Sequence, residues 1–229
     1  MRLPNALHAV IFDMDGTLHD TERSYILASQ RAATTAGLDL PDAFWHRLIG
    51  IPGAQAAEIV RNHLGPDFDF DSFAADYHRH VAALLEQDIA LKPGAVALLD
   101  HLASIGLPVA IATSNTRVAA ERHLSQSGLR HRFNVVVTID DVARGKPSPD
   151  PFLHAAGLLG VKPQHCLVLE DAFNGIRAAH AAGTMPVMVP DQVPPNAEIA
   201  ALCVAVRDDL HAVRASLAHY PSSRQVDVA

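Results

Sequence analysis

Cysteine is nearly absent from this chain: Cys166 and Cys203 are the only two. That excludes a disulfide framework and a multi-cysteine metal centre. Each cysteine sits in an apolar run, CLVLE or CVAV, as a buried free thiol does, and this suits a reducing compartment. Long apolar runs are missing too. None approaches the ~18 residues of a membrane span, and Asp13 interrupts the first one before it reaches signal-peptide length. A cytoplasmic protein without membrane partners is expected. Excess positive charge is also lacking. The formal net charge is −7, which argues against nucleic acid as a partner, because phosphate backbones need basic patches. No GxxxxGK[ST] or GxGxxG loop occurs, so nucleotide-dependent chemistry has no support. The 14 histidines are scattered and form no HExxH. His78 and His80 are two apart in a helical pattern and do not share a face, so a histidine metal site is not expected.

What is present is ordinary for a soluble globular protein: 49% hydrophobic and 19% charged residues in 229, enough for one large domain or two small ones. AVIF (9–12) reads as a short buried strand. Residues 22–87 carry no convincing β run and about four helical stretches broken by Pro41, Pro52 and Pro66. From Pro93–Gly94 onward, strands and helices alternate. Strands are expected in LPVAIATSN, FNVVVTI, CLVLED, PVMVP and CVAV. Continuous apolar strands alternating with helices imply a parallel sheet covered on both faces. The expected fold is α/β: a Rossmann-like parallel core from residues 1–20 and 90–229, with an inserted α-helical bundle cap at 21–89.

In such a sheet, ligands bind outside the carboxyl ends of the strands. The chain puts its chemistry there. Asp13 and Asp15 follow the first strand, with Gly16 and Thr17 next. Ser114 and Asn115 follow the second, and Lys146, one of only three lysines, lies after the third. Glu170 and Asp171 end the fourth. Carboxylates gathered at one edge repel by about 4 kcal/mol per pair at roughly 4 Å and an effective dielectric near 20, so they call for a cation. Hard oxygen donors suit Mg²⁺, and Mg²⁺ beside a lysine is equipment for handling phosphate.

These residues resemble the four motifs of the haloacid dehalogenase-like phosphohydrolase superfamily. DMDGT matches the first, Ser114 the second, Lys146 the third and Glu170–Asp171 the fourth. The helical insert resembles the small cap of that superfamily's β-phosphoglucomutase-like group. The resemblance implies an Mg²⁺-dependent phosphatase acting on a small phosphorylated metabolite through an aspartyl-phosphate. Asp13 would be the nucleophile and Asp15 the general acid, then base. The metal would be held by Asp13, the backbone carbonyl of Asp15, Asp171 and Glu170. Phosphate oxygens would meet Ser114, Lys146 and the backbone N–H groups of Asp15, Gly16 and Asn115, with Thr17 close by. Gly50 and Gln55 in the cap are the expected specificity positions. A sugar-phosphate mutase is the alternative within the family, but the segment after Gly50 has no arginine for a second phosphate. A phosphonatase would need a cap lysine, and residues 22–87 contain none. Outside the class, the alternative is a non-catalytic binding protein on the same fold. His19 has no expected role.

Overall fold

The computed structural model describes residues 3, 6–48, 51, 53–85, 89–218 and 220, apart from the side chains at 22, 46, 53 and 54. The chain forms two compact units. One comprises Met1–His19 with Ala90–Ala229, the other Asp20–Ile89. Asp20 therefore goes with the helical unit, one residue earlier than the sequence pattern suggests.

The first unit is built on six parallel strands: β1 (Ala9–Phe12), β2 (Val109–Ala112), β3 (Val135–Val137), β4 (Cys166–Glu170), β5 (Met185–Met188) and β6 (Ala205–Val206). They lie in the order β3-β2-β1-β4-β5-β6. Strand order reverses direction at β1, so the crevice between the carboxyl ends of the neighbouring strands β1 and β4 is the topological switch point. Alternation sorts the β1 side chains onto two faces. Val10 and Phe12 join Leu98, Leu102, Leu167, Leu169 and Leu210 in one core. Ala9 and Ile11 join Phe152, Val168 and a set of small alanines in the other. The first face is covered by α5 (Ala95–Ser104), α6 (Arg117–Gln126) and α10 (Leu210–Leu217), the second by α7 (Asp150–Leu159) and α8 (Phe173–Ala181). Ala110, Ala112, Ala155, Ala156, Ala178 and Ala179 line that second core; small side chains there let α7 and α8 lie close to the sheet.

The fifth α-helix of this unit, α9 (Ala197–Leu202), has no counterpart in the sequence reading. Asn196 caps it, its side chain accepting from the Ile199 N–H at 2.9 Å. Its C-cap is the first residue of what reads as a CVAV strand. Cys203 ends α9, half-buried, and only Ala205–Val206 pair with β5. Both cysteines are free.

The helical unit contains α1 (Glu22–Thr35), α2 (Asp42–His46), α3 (Gly53–Leu64) and α4 (Phe70–Leu85). It has its own core of Ala32, Ala33, Phe44, Trp45, Val60 and Phe73, with α1 packed on α4. Gln55 is exposed on α3, and Gly50 lies outside the described residues.

Candidate active site

The site begins where β1 ends. Asp13 lies one residue beyond Phe12, yet its N–H still donates to Leu169 O on β4 at 2.9 Å. The ladder thus holds the Asp13 backbone after the strand proper has stopped. The chain then turns tightly: the N–H groups of Leu18 and His19 both donate to Met14 O at 2.9 Å. Gly16 makes the turn possible. Its φ is +77°, and a Cβ there would lie 2.3 Å from Asp171 Oδ2, so any side chain meets both backbone strain and a carboxylate.

β4 supplies Glu170 and Asp171. Glu170 is 1% exposed. Its Oε2 accepts from the Ala172 N–H at 2.8 Å and its Oε1 from Lys146 Nζ at 2.7 Å. Gly175, in the first turn of α8, lies directly against it: a Cβ there would be 1.6 Å from Oε1. Asp171 Oδ1 accepts from Thr17 Oγ1 at 3.3 Å.

Lys146 arrives from the loop before α7. Its ammonium lies 2.5 Å from Asp13 Oδ1 and bridges to Glu170. It also stands 5.0 Å from the centre of the Phe152 ring, a weaker favourable contact. Burial opposes its charge, but Asp13 and Glu170 outweigh that and hold the lysine above its ordinary range. Asp13 moves well above the usual carboxylate range: burial pushes it up, Lys146 pulls it down, and Glu170 pushes it up again. Burial first, and then the neighbouring Glu170 carboxylate, work against a charged Asp13.

Asp13, Glu170 and Asp171 can each present an oxygen within 4.8 Å of the others. All three are buried, and Lys146 is the cation that the described contacts bring to them. A buried, all-oxygen, acid-rich donor set fits a hard divalent cation, which would relieve the repulsion that raises Asp13.

Asp15 stands apart from this triad. Its Oδ2 accepts from the side-chain amide of Asn115, and its Oδ1 is 3.9 Å from His123 Nδ1. Two of the N–H groups expected at the phosphate have partners within the chain. The N–H of Asn115 donates to Thr113 Oγ1 at 3.1 Å, and the N–H of Gly16 donates to His19 O at 2.8 Å. Both donors are already engaged, because the loop after β2 and the turn after β1 each close on themselves. Ser114 is exposed. It does not cap α6 either, since Thr116 does so, accepting from the Ala119 N–H at 3.4 Å. The structure therefore brings together Asp13, Thr17, Lys146, Glu170 and Asp171 as one contact set, and Asp15 with Asn115 as a second. Ser114 joins neither through a hydrogen bond, and Gln55 belongs to the other unit.

Gly175 and His123 are the site residues that sequence reasoning missed. Gly175 left a signal: a glycine inside the first turn of a helix is unfavourable by up to about 1 kcal/mol and therefore wants a reason. His123 left none, since a histidine on a helix face names no partner.

The model of the haloacid dehalogenase-like hydrolases matches residues 7–183. The chain belongs to that family. It is 38% identical over 181 residues to hexitol phosphatase A of Escherichia coli, a match covering 78% of this chain and 81% of that one. It is 36% identical over 176 residues to fructose-1-phosphate phosphatase YqaB of the same organism, covering 76% and 92%. The crystal structure of β-phosphoglucomutase from Clostridium difficile has the same fold, with a TM-score of 0.72 at 24% identity over 89% of this chain and 92% of that one. The chain is a hydrolase acting on phosphoric monoesters. Among the described residues no helix is long and apolar enough to cross a membrane.

Proposed function

We propose that this protein hydrolyses a small phosphorylated metabolite of the sugar or polyol phosphate class, with Mg²⁺, through an aspartyl-phosphate on Asp13. The observation that carries the reading is the Asp13 carboxylate, buried, fixed by Lys146 and set beside Glu170 and Asp171. The names of the hexitol and fructose-1-phosphate phosphatases support the substrate class.

Asp13 Oδ attacks phosphorus while the bond to the leaving oxygen breaks, and Asp15 gives that oxygen its proton. Water then attacks phosphorus. Asp15 takes the water's proton, and the bond from phosphorus to Asp13 breaks, releasing phosphate and the free carboxylate. Lys146 holds Asp13 in line and offsets the charge of the incoming ester. Asp13, Glu170 and Asp171, with the backbone carbonyl of Asp15, would hold the metal. When bound, Mg²⁺ supplies charge compensation at the phosphoryl oxygens. Asn115, donating to Asp15, keeps the acid from turning toward the carboxylate triad.

Residues 1–19 and 90–229 are the catalytic core in this reading. The helical unit, with Gly50 and Gln55 as the chosen positions, selects the ester. The two free thiols support a reducing, cytoplasmic setting. The experiment is phosphate release from a panel of hexitol, pentose and triose phosphates with Mg²⁺ and with EDTA. Release from the hexose or hexitol esters, lost in EDTA, supports the reading. No release from any ester would reject it. Conversion of β-glucose 1-phosphate without phosphate release would replace it with a mutase. An unchanged ranking of esters in Gln55→Ala would remove Gln55 from substrate selection.

A further inference from the structure

Next to Asp15 the first unit buries two histidines that the chemistry above does not use. His19 is 0% and His123 1% exposed. His19 sits in the turn after β1, and His123 in α6. Their rings meet edge to face with centroids 6.3 Å apart. His19 Nε2 shares a hydrogen bond of 2.9 Å with Ser127 Oγ at the end of α6, and that hydroxyl also donates to Leu124 O at 3.3 Å. Three ring nitrogens have no hydrogen-bond partner: His19 Nδ1 and both nitrogens of His123. A buried polar atom without a partner costs about 1–3 kcal/mol. A core position on α6 would be cheaper to fill with leucine, as it is at Leu124. The imidazole therefore asks for a reason, and His123 Nδ1 points at one: it is 3.9 Å from Asp15 Oδ1.

We propose that His123 is a positioning residue for the general acid, setting the plane of the Asp15 carboxyl at Oδ1 while Asn115 holds Oδ2. The proposal rests on Asp15 being the proton donor of the reading above. An approach of about 1 Å turns the 3.9 Å separation into a hydrogen bond, and catalytic hydrogen bonds in ligand-free sites are commonly long and tighten with substrate. With Asn115 on Oδ2 and His123 on Oδ1, the carboxyl cannot rotate about its own axis without losing a partner. A neutral imidazole presents either an N–H or a lone pair at Nδ1. With its proton on Nδ1 it donates to Oδ1 whether Asp15 is the acid or the carboxylate, and it leaves the acid's own proton for the leaving oxygen. His19, tied to Ser127, buttresses the His123 ring edge and stops it from swinging away.

The proposal is tested by leaving-group dependence. Alkyl phosphates need a proton delivered to a poor leaving group, whereas p-nitrophenyl phosphate leaves as a stable phenolate without one. Parameter kcat/KM covers only the steps up to formation of the aspartyl-phosphate, so slow dephosphorylation does not obscure it. In His123→Leu, the proposal expects kcat/KM on a hexitol phosphate to fall by about tenfold, a part of the ~10²–10⁴ that general acid catalysis supplies, with p-nitrophenyl phosphate near wild type. His123→Asn puts an amide nitrogen where Nδ1 stood and should recover most of the loss. Equal losses on both esters, or no loss on either, overturn the proposal, as does a selective loss that His123→Asn leaves unrecovered. A wild-type protein that releases phosphate from neither ester overturns the phosphatase reading itself, a result distinct from any of these.

Discussion

Replacing Gly175 with alanine adds a single methyl group, and its place makes it severe. The new Cβ would lie 1.6 Å from Glu170 Oε1 and 1.9 Å from Glu170 Cδ. Ordinary contact needs well over 3 Å, so the carboxyl group must move by about 2 Å. Glu170 has little room to do so, being buried among β4, α8 and Lys146. Moving it breaks the 2.7 Å bond from Lys146 and the 2.8 Å bond from the Ala172 N–H. Hydrogen bonds to charged groups contribute about 1.5–3 kcal/mol each, so the loss is about 3–6 kcal/mol. Helix propensity acts the other way, favouring alanine by about 1 kcal/mol. The clash wins, and Gly175→Ala should be less stable than wild type by about 2–5 kcal/mol. Urea unfolding with EDTA present measures that. The same displacement withdraws an oxygen from the acidic triad, so the Mg²⁺ concentration for half-maximal phosphate release should rise about 10–100-fold, the range for disturbing the surroundings of a metal ligand. A Gly175→Ala variant of wild-type stability with an unshifted Mg²⁺ requirement would refute the reasoning, because it would mean Glu170 is not held where the metal needs it.

Asp13→Asn removes the nucleophile but keeps the shape, and phosphate release should fall on the order of 10⁴-fold or more; near-wild-type release would exclude Asp13. Lys146→Met leaves Asp13 and Glu170 facing each other without the ammonium, so turnover should be lost while added Mg²⁺ raises the thermal midpoint of the variant more than that of wild type, as differential scanning fluorimetry will report. His19 is held at about 4, against its ordinary 6.5, chiefly by burial, with Asp15 opposing and His123 assisting. The unfolded chain therefore binds more protons than the folded one between pH 6.5 and 4, and stability falls as pH drops through that window, by up to about 3 kcal/mol from this residue. His19→Leu should flatten the fall, as measured by urea midpoints at pH 7, 5.5 and 4.5; an unchanged slope would mean that His19 does not carry it.

The strands that place the site were legible because a buried parallel strand has little choice of residue. AVIF and VAIA are apolar throughout and CLVLE is apolar up to its last residue, so the acids mark the carboxyl ends of β1 and β4. Asp13, Lys146, Glu170 and Asp171 could be gathered on that ground, since strand order decides which loop ends meet. What side chains do within a loop was not legible. TSNT offers four cap-competent residues, and the choice of Thr116 over Ser114 or Asn115 depends on the backbone extending through Thr116 before α6 turns. That the Asn115 N–H meets Thr113 Oγ1 and its amide side chain meets Asp15 could not be read from residue type. The α9 helix was hidden behind Pro194 and Pro195, which mask the Asn196 cap just after them. Gly175 could have been found by asking why a helix would carry a glycine in its first turn, whereas His123 needed the fold to bring α6 beside the turn after β1.

The central claim is that Asp13 carries the phosphoryl group. The direct measurement uses a hexitol phosphate labelled in its phosphoryl group, mixed with the protein and Mg²⁺ and quenched in acid within the first turnover. Acyl phosphates survive acid and are cleaved by hydroxylamine. Label on the peptide that contains Asp13, removed by hydroxylamine and absent from Asp13→Asn, is the predicted result. Phosphate release with no protein-bound label at any quench time, or label on a different residue, would contradict the account.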